Sequence, residues 1–123
     1  MSVMLTESQV VARTKDVTRR MGWFFLNPGD RLTLCRKAMG RKRGEPLVRL
    51  VDVEVVSVRR EPLDSITAED VVREGFPGMT PREFVAFFCS SHKGCRPDSV
   101  VTRIEWRYLE APTDVESQAG SRS

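Results

Sequence analysis

The sequence predicts an α+β domain in which strands, then a pair of helices, then a final strand build a mostly antiparallel sheet that closes into a small barrel with flanking helices. Three observations carry this expectation: a valine-rich alternating stretch over 48–59, two helix-start signals at Thr67 and Thr80, and a second alternating stretch over 99–109. With 123 residues, 40% hydrophobic and 30% charged, the chain has the make-up of one globular domain with one core.

The elements follow in order. Thr6 and Ser8 are available caps ahead of Val10, Val11 and Ala12, which predicts a short helix over 8–13 running into the basic segment 15–20. Asn27, Pro28, Gly29 and Asp30 form a turn signal, since proline presets φ and glycine accepts a positive φ; residues 31–35 then alternate as a strand. The stretch 36–45 is basic, contains Gly40 and Gly44, and reads as a loop to the next strand. Over 48–59 the alternation puts Val51, Val53, Val55 and Ser57 on one face and Asp52, Glu54, Val56 and Val58 on the other.

Thr67, with Asp70 three residues on, opens a helix that reaches Glu74 and is broken by Gly75, Pro77 and Gly78. Thr80, Pro81 and Glu83 open the next, which carries Phe84, Val85, Phe87 and Phe88 toward the core. The closing strand sets Val100, Thr102, Ile104, Trp106 and Tyr108 on an apolar face against Val101, Arg103, Glu105 and Arg107. This gives a domain over 1–110 and a polar, disordered tail over 111–123.

A net charge of +3 and a pI near 9.0 favour polyanionic partners only weakly. No apolar run approaches the roughly 18 residues of a membrane span, and the basic-then-apolar pattern of a secretory signal is missing, so a cytoplasmic protein without a membrane partner is expected. Cys35, Cys89 and Cys95 are an odd set, which suits reduced thiols better than a disulfide framework. Cys89, His92 and Cys95 have C-x-x-H-x-x-C spacing, but without paired C-x-x-C knuckles this reads as a helix end with a buried Cys89 rather than as zinc; neither metal nor cofactor is expected.

The chemistry concentrates at Lys15, Thr18 and Arg20. In an extended segment Thr18 and Arg20 share a face, and Lys15 at the preceding turn converges with them on one cleft. The plainer reading is a solvated cationic helix end that suits the helix dipole. Arg36, Lys37, Arg41, Lys42 and Arg43 form a basic loop suited either to phosphates or to a hairpin tip. Of Trp23, Phe24 and Phe25, one is expected to stack a base, Trp23 first, and the other two to enter the core.

A short helix leading into K-x-x-T-x-R at Lys15, Thr18 and Arg20, then Trp23 and the Pro28-Gly29-Asp30 turn, resembles the ASCH family of the PUA-like superfamily, whose signature is G-x-K-x-x-E-x-R. The segment E-G-F-P-G-M-T-P-R-E-F-V from Glu74 to Val85 is similar to small ASCH proteins of bacteria and their phages, and the likeness spans about residues 1–110. It implies a PUA-like barrel that binds RNA, a nucleotide or a nucleoside. Arg13 replaces the motif glycine and Thr18 the motif glutamate. Members with threonine there resemble N4-acetylcytidine amidohydrolases, which implies a catalytic set of Lys15, Thr18 and Glu74, with Glu69 a rival for the glutamate.

In that set Lys15, its pKa depressed by burial and by Arg13, Arg19 and Arg20, takes the Thr18 proton, and Glu74 relays it to the leaving amine. Arg20, with Arg19, is suited to holding an anion or a base edge. Binding of a nucleic acid or modified nucleotide is the first reading, N4-acylcytidine hydrolysis the alternative. Ribonuclease activity is a third, for which the sequence offers no histidine pair.

Overall fold

A computed structural model describes residues 1–36 and 48–109. Lys37, Arg41, Lys42 and Arg43 of the basic loop, and the tail over 111–123, lie outside the described residues. The elements are α1 (Glu7–Val11), β1 (Val17–Arg20), β2 (Arg31–Cys35), β3 (Arg49–Pro62), α2 (Ala68–Arg73), α3 (Pro81–Ser91) and β4 (Val100–Tyr108), with 3-10 turns at Met4–Thr6 and Leu63–Ser65. The expected helix starts are present: Thr67 Oγ1 accepts from Asp70 N, and Thr80 and Glu83 form a reciprocal capping box with Pro81 in the first turn. No helix among the described residues is long and apolar enough to cross a membrane.

Among the described residues the strand ladders are all antiparallel, in the order β1-β4-β3-β2, and an isolated parallel bridge joins Ser2 to Cys35. The sheet is open rather than the barrel the sequence led us to expect, since among the described residues no ladder joins β1 to β2. The N-terminal segment spans the gap instead: Val3 N donates to Cys35 O at 2.9 Å, and the Arg20 guanidinium donates to Ser2 O at 2.8 Å.

A bulge between Val55 and Ser57 corrects the expected face of β3. One extra residue reverses the alternation, so Val53 and Val55 are buried, Val56 is exposed, and Val58, paired with Ile104, joins the core side in place of Ser57. β4 also differs from the expected one-sided strand. It lies between β1 and β3, residues 101–104 are all buried, and the polar face is covered at Arg103, while Val100 at the strand end is exposed.

Two apolar clusters result. Val3, Val10, Leu26, Leu34, Val53, Val55, Ile104 and Trp106 form the first. Leu63, Ile66, Val71, Phe84, Val85, Phe88 and Val101 form the second, where α2 and α3 pack.

Candidate functional site

The path into the site is set at the end of α1. Arg13, in the position where the ASCH signature has glycine, has φ +61°, a backbone that glycine adopts freely and an L side chain does not. That reversal lets Thr14 N and Lys15 N both donate to Gln9 O, at 2.8 and 3.3 Å, and turns Lys15 inward ahead of β1. The Arg13 guanidinium lies 5.5 Å from the Tyr108 ring centroid, and the Tyr108 hydroxyl donates to Lys15 O.

Lys15 is 3% exposed and its Nζ donates to three acceptors: Val17 O at 3.0 Å, Glu74 O at 2.6 Å and Glu74 Oε1 at 3.4 Å. Burial holds its pKa below the ordinary lysine range; Glu74 opposes this, while Arg20 and Arg19 push the same way as burial. Glu74 caps α2, and Gly75, at φ +102°, turns the chain beneath it. A Cβ on Gly75 would meet Thr6 Cγ2 at 3.1 Å, so the positive φ and the tight approach to the N-terminal 3-10 turn both favour glycine.

Lys15, Thr18, Arg20 and Glu74 line one cavity of about 280 Å³. Phe76 and, from α3, Phe84, Phe87 and Phe88 form its aromatic wall, and Ser2 and His92 also border it. The Thr18 hydroxyl makes no hydrogen bond among the described residues, and Arg20 Nε is buried without a partner there. A larger groove of about 420 Å³, bordered by Asp64, Arg82 and Pro97, has none of this acid–base set. Chemistry rather than size singles out the smaller cavity.

Behind the cavity runs an ionic network that the sequence did not reveal. Arg19 donates to Glu74 Oε2 at 3.0 Å, Asp70 Oδ2 at 2.7 Å and Glu61 Oε2 at 2.8 Å. Asp70 also takes two bonds from Arg103, at 2.7 and 3.1 Å. Arg103 continues to Glu105, and Arg73 joins Glu105 to Asp16. Arg103 and Arg19 hold the Asp70 carboxyl far below the usual carboxylate range against the opposing effect of burial. Arg19, anticipated as a ligand contact, thus directs its guanidinium to three carboxylates and fixes Glu74.

The other anticipated residues divide. Glu69 is exposed and does not border the cavity, whereas Glu74 does. A reversal at Gly22 (φ +80°) and Trp23 (φ +58°) lays Trp23 on the first core and leaves Phe24 and Phe25 exposed, the opposite of the expectation that these two would be buried. Trp23 does not border the cavity. Arg36 forms an exposed bidentate pair with Glu7, at 2.9 and 3.0 Å, away from the cavity. His92, weighed in the sequence only as a zinc ligand and read as a loop residue at a helix end, follows α3 with extended backbone and borders the cavity. Among the described residues no group of three His, Cys, Asp or Glu side chains is placed to hold a metal.

No family model and no curated protein matches the chain. Solved structures do. Protein EF3133 from Enterococcus faecalis V583, of family DUF984, has a TM-score of 0.57 and 13% identity, the match covering 84% of this chain and 66% of that one. The ASCH domain from Lactobacillus crispatus JV V101 has a TM-score of 0.59 and 12% identity, over 85% of this chain and 70% of that one. The chain therefore spans about two thirds of the length of each, and what it shares with them is the fold.

Proposed function

With an ASCH-like fold as the premise, we propose that the cavity binds a single nucleobase with its sugar, as a free nucleoside or as one extruded nucleotide of RNA. The observation that carries this reading is the pairing of a hydroxyl and a guanidinium, from Thr18 and Arg20, with a wall of phenylalanine rings in one space. A volume of about 280 Å³ suits one base with its sugar and not a nucleic-acid helix. The rings supply stacking surface, and Thr18 and Arg20 supply the hydrogen bonds that choose the base edge.

Hydrolysis of an N4-acylated cytidine is a second reading, favoured by the Lys15–Glu74 contact beside Thr18. A neutral Lys15 would take the Thr18 proton, Thr18 Oγ1 would attack the acyl carbonyl, and Glu74 would deliver a proton to the departing N4. Water would then release the acid. Three acceptors surround Lys15 Nζ here, an arrangement that suits the ammonium better than the neutral amine the first step needs. Binding therefore ranks first.

The test is calorimetry with cytidine, N4-acetylcytidine and uridine, with chromatography of the same mixtures for released cytidine. A nucleoside should bind, and Thr18→Val, which keeps the shape and removes the hydroxyl, should weaken binding by about 1 kcal/mol, roughly fivefold. Cytidine release that Thr18→Val abolishes would move the assignment to the hydrolase. Failure of folded protein to bind any nucleoside, or a short single-stranded RNA, would overturn the proposal.

A further inference from the structure

At the end of α3 the chain folds back on itself through Gly94 (φ +79°), with His92 N donating to Cys89 O at 3.4 Å and Cys95 N donating to His92 O at 3.0 Å. This reversal brings Cys89 Sγ to 3.5 Å from Cys95 Sγ, with both thiols free and half-buried. Cys35 is buried elsewhere, its Sγ 3.6 Å from Thr33 O. The segment between the two sulfurs contains His92, whose ring borders the cavity, stacks on Phe88 at 4.0 Å between centroids and contacts Phe88 O through Nδ1 at 2.9 Å. Lys93, two residues before Cys95 in the chain, is exposed and adds a cation to this surface, which suits an anionic small disulfide.

We propose that Cys89 and Cys95 form a reversible dithiol–disulfide site that reacts with low-molecular-weight disulfides of the glutathione class and carries His92 of the cavity wall within its loop. Cys95 thiolate attacks one sulfur of the small disulfide, the sulfur–sulfur bond breaks, and one small thiolate leaves. Cys89, having given its proton to solvent, attacks Cys95 Sγ in the mixed disulfide and expels the second small thiol. The protein loses two electrons and two protons, and the small disulfide becomes two thiols. Burial pushes the Cys89 thiol up, which leaves the first attack to Cys95; Cys89 reacts second because its Sγ already lies 3.5 Å from Cys95 Sγ. A disulfide needs sulfurs about 2.05 Å apart, so closure draws the Cys95 arm toward α3 and moves His92 with it.

The experiment equilibrates the full chain with defined ratios of reduced and oxidised glutathione, then counts thiols and maps the linked peptides. Free thiols should fall from three to one, the survivor being Cys35, with Cys89 joined to Cys95 and the change reversed by excess reduced glutathione. Cys89→Ser should trap a glutathione adduct on Cys95. Separate adducts on both cysteines, linkage to Cys35 or to a second chain, or no thiol loss at the most oxidising ratio would overturn the site. Because the chain has one histidine, its imidazole Cε1 proton gives a single resonance, which should shift on oxidation; an unmoved resonance would overturn the link to the cavity wall. An effect on nucleoside affinity rests on the binding reading above, whereas thiol count and resonance do not, so the two fail separately.

Discussion

The two apolar cores are made differently. The first is largely aliphatic and laid down by strands, with Leu34, Val53, Val55 and Ile104 closed over by Val3 and Val10. The second is rich in phenylalanine and carried mainly by helices, with Phe84 and Phe88 packed on Val71 and Leu63. Both contribute to the cavity, through Val3 from one and through Phe84 and Phe88 from the other. Lys15, Thr18, Arg19, Asp70, Glu74 and Arg103 are buried but belong to neither. Such a seam holds charges only because each is paired, so its stability depends on partners where that of the cores depends on volume.

Substitutions should separate the two kinds of stability. Asp70→Asn leaves the Arg19 and Arg103 guanidiniums undercompensated and should cost about 3–5 kcal/mol near neutral pH, read by urea unfolding. Ile104→Val in the first core should cost about 0.5–1.5 kcal/mol, with little dependence on pH. The sign of the pH effect follows from the depressed Asp70 pKa. The stabilisation is complete above the ordinary aspartate value of 3.8 and is lost as pH falls through the lower folded value, as the similarly lowered Glu61 and Glu105 reinforce. The gap between wild type and Asp70→Asn should therefore close in acid. A gap that stays constant would show that the network contributes through shape alone.

Gly75→Ala tests where the seam meets the N-terminal helix. The left-handed backbone and the approach to Thr6 should together cost about 2 kcal/mol, with the perturbation reaching Glu74; a loss below about 0.5 kcal/mol would show that the turn tolerates a side chain. Arg13→Gly should have the smallest effect and the opposite sign. Relief of the positive φ, about 1 kcal/mol or more, outweighs loss of the Tyr108 contact, about 0.5–1 kcal/mol, so a small gain is expected by the same measurement. Net destabilisation would mean that the Arg13–Tyr108 contact dominates.

The contrast also explains what could be read in advance. The aliphatic core follows a period of two, and Val53, Val55 and Ile104 are legible in it; the capped helix starts at Thr67 and Thr80 are equally local. The bulge at Val56 carries no glycine or proline to announce it, which is why Val58 and Ser57 exchanged faces. Lys15, Thr18 and Glu74 border one cavity, with Lys15 and Glu74 in contact across 59 positions of chain. The ionic network around Arg19 was not legible, because its partners Glu61 and Asp70, and Arg103 that shares Asp70 with it, read singly as surface charges on three different elements. Only the packing of α2 over β4 turns them into a buried set.

The same network bears on what the cavity can attract. Arg19, Arg73 and Arg103 are each engaged by carboxylates behind the cavity and Lys15 by Glu74, whereas Arg20, on the cavity lining, donates to Ser2 O and has no carboxylate partner among the described residues. One uncompensated guanidinium is a single ionic contact and not a row of cations, so a string of phosphates gains little more at this opening than one anionic group, and choice among ligands falls mainly to outline and hydrogen-bond pattern.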